Sequence, residues 1–201
     1  MSKTLRDDTD RFFQYNIDIG SRTLYMGSSS DDEGDESGTD YEMAQYVIKG
    51  LHVLESQSKN GDKPITIIMN NVGGNEYHGL GIYDAIICCK NHVTIKVYGH
   101  AMSMGGIILQ AADERIMSPN SRFMMHYGTF SISANTKDAY KWVEDNKKID
   151  KFMEDLFLEK IKEKKPKFTR AALQKMLQSD WICSAQDALE YGLADIVMGE
   201  K

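Results

Sequence analysis

Cysteine is scarce: the 201 residues hold three, Cys88 and Cys89 side by side and Cys183 far along the chain. Neither a disulfide framework nor a zinc site has that spacing, so no metal is expected, and the chain is read as a protein of a reducing compartment, the cytoplasm. No apolar run approaches the length that crosses a bilayer, which argues against a membrane-spanning class. Residues 1–11 are polar and charged, without the apolar segment of a secretory signal. Excess positive charge is missing as well. The formal net charge is −6, which argues against nucleic acid as the main partner. The acidic stretch Ser28 to Ser37 lacks the glycine spacing of an EF-hand and reads as a solvated loop over 28–38 rather than a calcium site.

What is present suits one globular domain: 41% of residues are hydrophobic and 27% charged. A polar tail is expected over 1–21, its apolar Phe12 and Phe13 docking on a neighbour or on the core, followed by one domain over 22–201. Arg22 to Met26 reads as a first strand. Thr39 and Glu42 have the spacing of a capping box, opening an amphipathic helix over Asp40 to Gln57. Ile65 to Met69 is short, β-branched and almost wholly apolar, as strands buried on both faces of a parallel sheet are. A helix is expected over Gly79 to Lys90, a strand over Thr94 to Tyr98, and short strands at Arg115–Met117 and Arg122–Met125. A long helix over about 136–162 follows, with apolar residues spread round it and a lysine-rich end that Pro166 helps to stop. Thr169 opens a short helix through Leu177, Ser184 with Asp187 opens another, and Ala194 to Val197 closes the chain as a strand. This alternation of strands and helices makes the fold class α/β with parallel character.

Two loops carry chemistry. Val93 to Tyr98 runs as a strand into Gly99-His100-Ala101-Met102-Ser103-Met104-Gly105-Gly106, and a helix-like run leaves it. A serine on such a turn has its hydroxyl exposed, with the next backbone N–H aimed at whatever is attached to it. The same residues are also what a buried helix start needs. Asn70-Asn71-Val72-Gly73-Gly74 follows a predicted parallel strand, where open α/β folds place ligands; taken singly it reads as a plain turn, with an oxyanion donor or an edge for a peptide as the functional alternatives. A serine nucleophile needs a base, and the base needs a carboxylate. Of the five histidines, His126 ends an apolar strand, His78 and His100 adjoin the glycine turns, and His52 and His92 lie on polar segments. Residue types alone leave the base and the acid open.

The succession Asn-Asn-Val-Gly-Gly, Gly-His-Ala-Met-Ser-Met-Gly, Pro-Asn-Ser-Arg-Phe-Met-Met-His and Asp-Trp-Ile-Cys-Ser-Ala-Gln-Asp-Ala-Leu-Glu-Tyr-Gly-Leu-Ala-Asp resembles the Clp protease proteolytic subunit from about Arg22 to the end. The resemblance implies a crotonase-like fold of ββα repeats with a protruding long helix. It also implies a serine endopeptidase with Ser103 as nucleophile, His126 as base and Asp180 orienting it. Gly74 and Met104 become the oxyanion donors. Gly73, Asn75 and Thr129 become substrate-binding residues, through strand pairing near Gly73–Asn75 and Tyr127–Thr129. No cofactor is implied; ATP belongs to a partner, a hexameric AAA+ unfoldase that feeds unfolded polypeptides into two stacked heptameric rings of the subunit, interlocked by the long helix. The chain departs from the family pattern at Asn71-Val72, at Tyr127-Gly128-Thr129-Phe130, at Trp181 and in its acidic insert. It departs also at Glu76, where an apolar residue often borders the substrate groove. Three alternatives stay open: a viral, prohead-type maturation protease of this fold, an inactive subunit of a mixed ring, and an acyl-CoA enzyme of the crotonase type.

Overall fold

The strands that the sequence marks as apolar and β-branched form the middle of a mostly parallel sheet in the computed structural model, which describes residues 9–10, 12–27, 38–58 and 60–199. In chain order the elements are β1 (Ile17–Asp18), β2 (Thr23–Gly27), α1 (Tyr41–Ser56), β3 (Ile65–Asn71), α2 (Glu76–Ile87), β4 (Val93–Met102), α3 (Met104–Leu109), β5 (Glu114–Met117), β6 (Arg122–Met125), α4 (Thr136–Lys164), α5 (Arg170–Leu177), β7 (Trp181–Ser184), α6 (Ala185–Glu190) and β8 (Ile196–Val197). Strands β2, β3, β4, β5 and β8 lie side by side and parallel, with β1 antiparallel on the outer edge of β2.

Strand β4 is longer than its sequence signal, because two different strands pair with it. Thr94 to Val97 pairs with β5, and His100 to Met102 pairs with β6. The switch falls at Tyr98-Gly99, where Asn70 Oδ1 accepts the His100 N–H at 3.0 Å. The first half of β4 therefore belongs to the core sheet, and its second half leads a branch, β4–β6–β7, toward the site. Ile65, Ile67, Ile95 and Val97 are fully buried in the core, packed with Leu24, Leu54, Ile108 and Phe157. Each such side chain contributes about 1.5–3 kcal/mol by leaving water.

Several expectations are corrected. Helix α1 is capped by Asp40, whose Oδ1 accepts the Met43 N–H at 2.8 Å. Thr39 is buried instead, its hydroxyl held by the Asn71 amide at 3.0 Å, so it is not free to cap. Helix α2 starts three residues earlier than expected, because Asn75 Oδ1 caps it through the His78 N–H at 3.1 Å. Trp181–Ser184 is a strand where only a loop leading to a helix cap was expected. Part of the expected tail belongs to the sheet: Ile17 and Asp18 pair with Leu24 and Thr23, and Phe12 meets Tyr25 at 6.3 Å between ring centroids, while Phe13 is exposed. The acidic loop lies, but for its last residue, outside the described residues, as do residues 1–8 of the tail. All three cysteines are free thiols; burial pushes the Cys183 thiol up to about 12, with the Asp187 charge adding to it.

No helix among the described residues is long and apolar enough to cross a membrane. An ion pair between the buried Arg115 and the exposed Asp195 ties the last turn of the described chain to the core. Arg115 Nη2 meets Asp195 Oδ1 at 2.6 Å, and Arg115 Nη1 donates to the Gly192 carbonyl at 2.9 Å and to the Gln110 side chain. Gln110 caps the C-terminal end of α3, so this cluster fixes the helix whose other end carries Ser103.

Candidate active site

Three neighbouring strands deliver three side chains to one place. Strand β4 ends at Met102, paired with Met124 of β6, and Ser103 follows, its N–H donating to the Met124 carbonyl at 2.9 Å. Strand β6 ends at Met125, and His126 follows. Strand β7 runs antiparallel to β6 with Met125 opposite Trp181, so the next position in that register sets His126 opposite Asp180. The side chains meet as the backbone suggests: His126 Nε2 lies 2.9 Å from Ser103 Oγ, and His126 Nδ1 lies 2.9 Å from Asp180 Oδ1. With Nδ1–H donating to the carboxylate, Nε2 is the free acceptor for the serine hydroxyl. The histidine side chain is 23% exposed and the aspartate 62%.

Ser103 caps α3 by position only; its side chain makes no capping bond, and its backbone sits at φ 51°, ψ −120°. A non-glycine residue held there is strained by about 1–3 kcal/mol, and such strain persists only when the surroundings enforce it. Here the enforcing bonds are the one to Met124 and those from Gly106 and Ile107 to the Ser103 carbonyl, at 3.0 and 3.3 Å. The Met104 N–H stands in the first turn of α3, ahead of any intrahelical acceptor, and so is free to donate.

The glycine pair faces this turn. Gly73 has φ 101° and Gly74 φ 141°, a conformation that side chains resist, and a Cβ on Gly73 would fall 2.5 Å from Ser103 Cβ. Strand-like bonds hold the pair from behind. The Thr39 N–H donates to the Gly73 carbonyl, the Asn75 N–H to the Thr39 carbonyl at 2.7 Å, and the Gly73 N–H to Asn71 Oδ1 at 2.7 Å. The N–H groups of Gly73 and Asn75 are thus engaged within the domain, and none of these bonds takes the Gly74 N–H. His78 and His100 do not join the site: His78 stacks edge-on against Tyr41, and His100 lies on β4 with Nδ1 buried and unpartnered.

A cleft of about 470 Å³ opens beside Ser103. Gly74, Asn75 and Met104 border it on one side and His126 and Thr129 on the other, while Ile107, Met125, Met153 and Phe157 form apolar walls. Glu76 and Asp150 also line it.

A polar cluster absent from the sequence reading anchors the histidine from behind. Tyr127 Oη donates to Glu154 Oε1 at 2.6 Å, Arg170 Nη1 to Glu154 Oε2 at 2.7 Å, and Gln174 Nε2 reaches both oxygens at 3.1 and 3.2 Å. The Tyr127 N–H donates to the Leu177 carbonyl at 3.0 Å. The segment after His126 is thereby tied to α4 and to α5, the helix that leads to Asp180. Burial alone would raise the Glu154 carboxyl; the hydrogen bonds from Tyr127, Arg170 and Gln174, with the Arg170 charge, outweigh it and hold the group below the usual carboxylate range. The signal was present in the sequence: an acid between Met153 and Leu156-Phe157-Leu158 stands on the apolar side of a helix, where it needs partners.

The Clp protease family model matches residues 36–201. A protein named ATP-dependent Clp protease proteolytic subunit, from Deinococcus radiodurans, is 32% identical over 161 residues, 79% of this chain and 76% of that protein. Among solved structures, a ClpP1 mutant from Listeria monocytogenes superposes with a TM-score of 0.73 at 25% identity, covering 91% of this chain and 94% of the other. The α/β architecture is thus shared, consistent with a crotonase-like fold.

Proposed function

The chain belongs to the Clp protease family, and from that premise we propose that it is a self-compartmentalising serine endopeptidase working through Ser103, His126 and Asp180. The observation that carries the proposal is the unbroken run of contacts Asp180–His126–Ser103, both at 2.9 Å. His126 Nε2 takes the Ser103 proton as Oγ attacks the scissile carbonyl carbon. Asp180 stays ionised and stabilises the imidazolium that forms. The carbonyl oxygen becomes an oxyanion facing the N–H groups of Gly74 and Met104, each worth about 3 kcal/mol of barrier. His126 returns the proton to the leaving amine, and the acyl group stays on Ser103. Water then gives its proton to His126, attacks the ester and frees the serine. Thr129 lies in the extended segment across the cleft and offers backbone for a substrate strand, which gives affinity with little demand on sequence.

Exposed apolar side chains on the first half of α4, Tyr140 and Trp142 among them, support a role for that helix between subunits. Two stacked heptameric rings, with a hexameric AAA+ unfoldase supplying unfolded chains, are the proposed working assembly. No cofactor is assigned to the subunit; ATP is used by the partner.

Ser103→Ala tests the chemistry. It should lower peptide hydrolysis by about 10³-fold or more and abolish covalent labelling by a fluorophosphonate. Full peptidase activity in that variant would overturn the assignment. Negative-stain images of the purified protein test the assembly, which stacked rings would support and isolated subunits would refute.

A further inference from the structure

The walls of the cleft suit a side chain with an apolar stem, but its acidic lining suits a cationic head. Glu76 projects from the first turn of α2, next to the glycine pair, with Oε2 accepting from Asn146 Nδ2 at 3.2 Å. Its other oxygen lies against the segment after His126: a Cβ on Gly128 would fall 2.8 Å from Glu76 Oε1. Asp150 reaches the same cleft from α4. No lysine or arginine among the described residues forms an ion pair with either acid. The lysines of that stretch of α4 are engaged elsewhere, Lys147 with Glu144, Lys148 with Asp145 and Lys151 with Asp155. Both carboxyls are displaced upward. Burial pushes Glu76 up, the Asp150 charge adding and the Asn146 bond opposing, and burial with the Glu154 charge pushes Asp150 up. Two half-buried acids lining one cleft without a cationic partner are relieved by a cation placed against them.

We propose that Glu76 and Asp150 are specificity-determining residues that direct cleavage to the carboxyl side of lysine and arginine. The methylene stem of such a residue lies along Ile107, Met125, Met153 and Phe157 while its charged head reaches the two carboxylates, a division of one side chain between apolar and polar surroundings that both residues favour. Leucine fills the same walls but leaves the two acids unpaired. The inference rests on the serine-peptidase reading above and adds a substrate class to it.

The test uses the full chain and a fluorogenic peptide series identical except at the residue preceding the scissile bond. Lysine and arginine peptides should be cleaved with kcat/KM about tenfold or more above the leucine peptide. In Glu76→Gln combined with Asp150→Asn the lysine-to-leucine ratio should fall to one or below, by slowing of the first and acceleration of the second. Glu76→Lys should shift cleavage toward a glutamate peptide, a gain that misfolding cannot imitate. A wild-type protein that labels with fluorophosphonate at Ser103 yet prefers leucine overturns this inference alone, as does a ratio unchanged by the double substitution. A protein that neither labels nor cleaves any peptide overturns the peptidase reading and this inference with it.

Discussion

Helix α4 is one continuous helix with two unlike halves. Before Asp150 its large side chains face outward: Tyr140 is 70% exposed, Trp142 42% and Val143 38%, and few bonds hold them to the domain. Those bonds run to the start of α2, where Tyr77 packs edge-on against Trp142 and donates its hydroxyl to Asp145 at 3.1 Å. After Asp150, Met153, Leu156, Phe157 and Ile161 fall at helical spacing and are buried, Phe157 completely and edge-on to Phe123 of β6; Phe152, off that stripe, is exposed and packs edge-on against Tyr83. Charge does not separate the halves, since both carry lysines and acids in quantity. Spacing does. A helix with apolar residues on one stripe is built for its own core, whereas apolar residues scattered over a polar surface are left for something outside the domain. The site sits at the join, where Asp150 and Met153 enter the cleft.

Substitutions in the two halves should separate accordingly. The largest effect is expected for Phe157→Ala, which empties a core position beside the strand carrying His126; denaturant titration should show a loss of about 3–5 kcal/mol. Glu154→Gln comes next, costing about 1–3 kcal/mol because the Arg170 guanidinium and the Tyr127 hydroxyl lose their ionised acceptor. This acid also leaves a pH signature. Held below its usual range in the folded protein, it contributes stability that is complete at neutral pH, above the unfolded value, and is lost as pH falls through the folded value. The Gln variant should lose less stability than the wild type on acidification over that window. Smallest is Tyr140→Ser with Val143→Ser, which should leave the unfolding free energy within about 0.5 kcal/mol of wild type yet, on the ring assembly proposed above, reduce the sedimenting mass. A stability loss in that last variant as large as that of Phe157→Ala would erase the distinction between the halves.

Local signals were legible in the sequence and distant partnerships were not. The capping box at Ser184 and Asp187 is present as expected, because both its residues lie within one turn. The Thr39 cap fails because Thr39 is claimed by Asn71, a residue 32 positions away. Strand β7 is only Trp-Ile-Cys-Ser, too short to announce itself, and it exists because β6 offers an edge. The site follows the same division. Residue types drew attention to Ser103 and to the glycine pair, whose strained turns are local. They could not choose among five histidines, or find the acid, because that choice depends on the register between β6 and β7. Family resemblance supplied the nomination of His126 and Asp180, and strand pairing gives it a physical cause. The bonds from Thr39 to the backbone of Gly73 and Asn75 were hidden for the same reason, since they join residues more than 30 positions apart.

The left-handed backbone of Ser103 has a consequence for how such chains age. Its hydroxyl caps nothing, and glycine would occupy φ 51°, ψ −120° without the strain. At this one position durability and the proposed catalysis pull in opposite directions. A duplicated gene released from the duty to cut has a downhill route to a sturdier, silent copy that keeps every surface by which it would sit among active siblings.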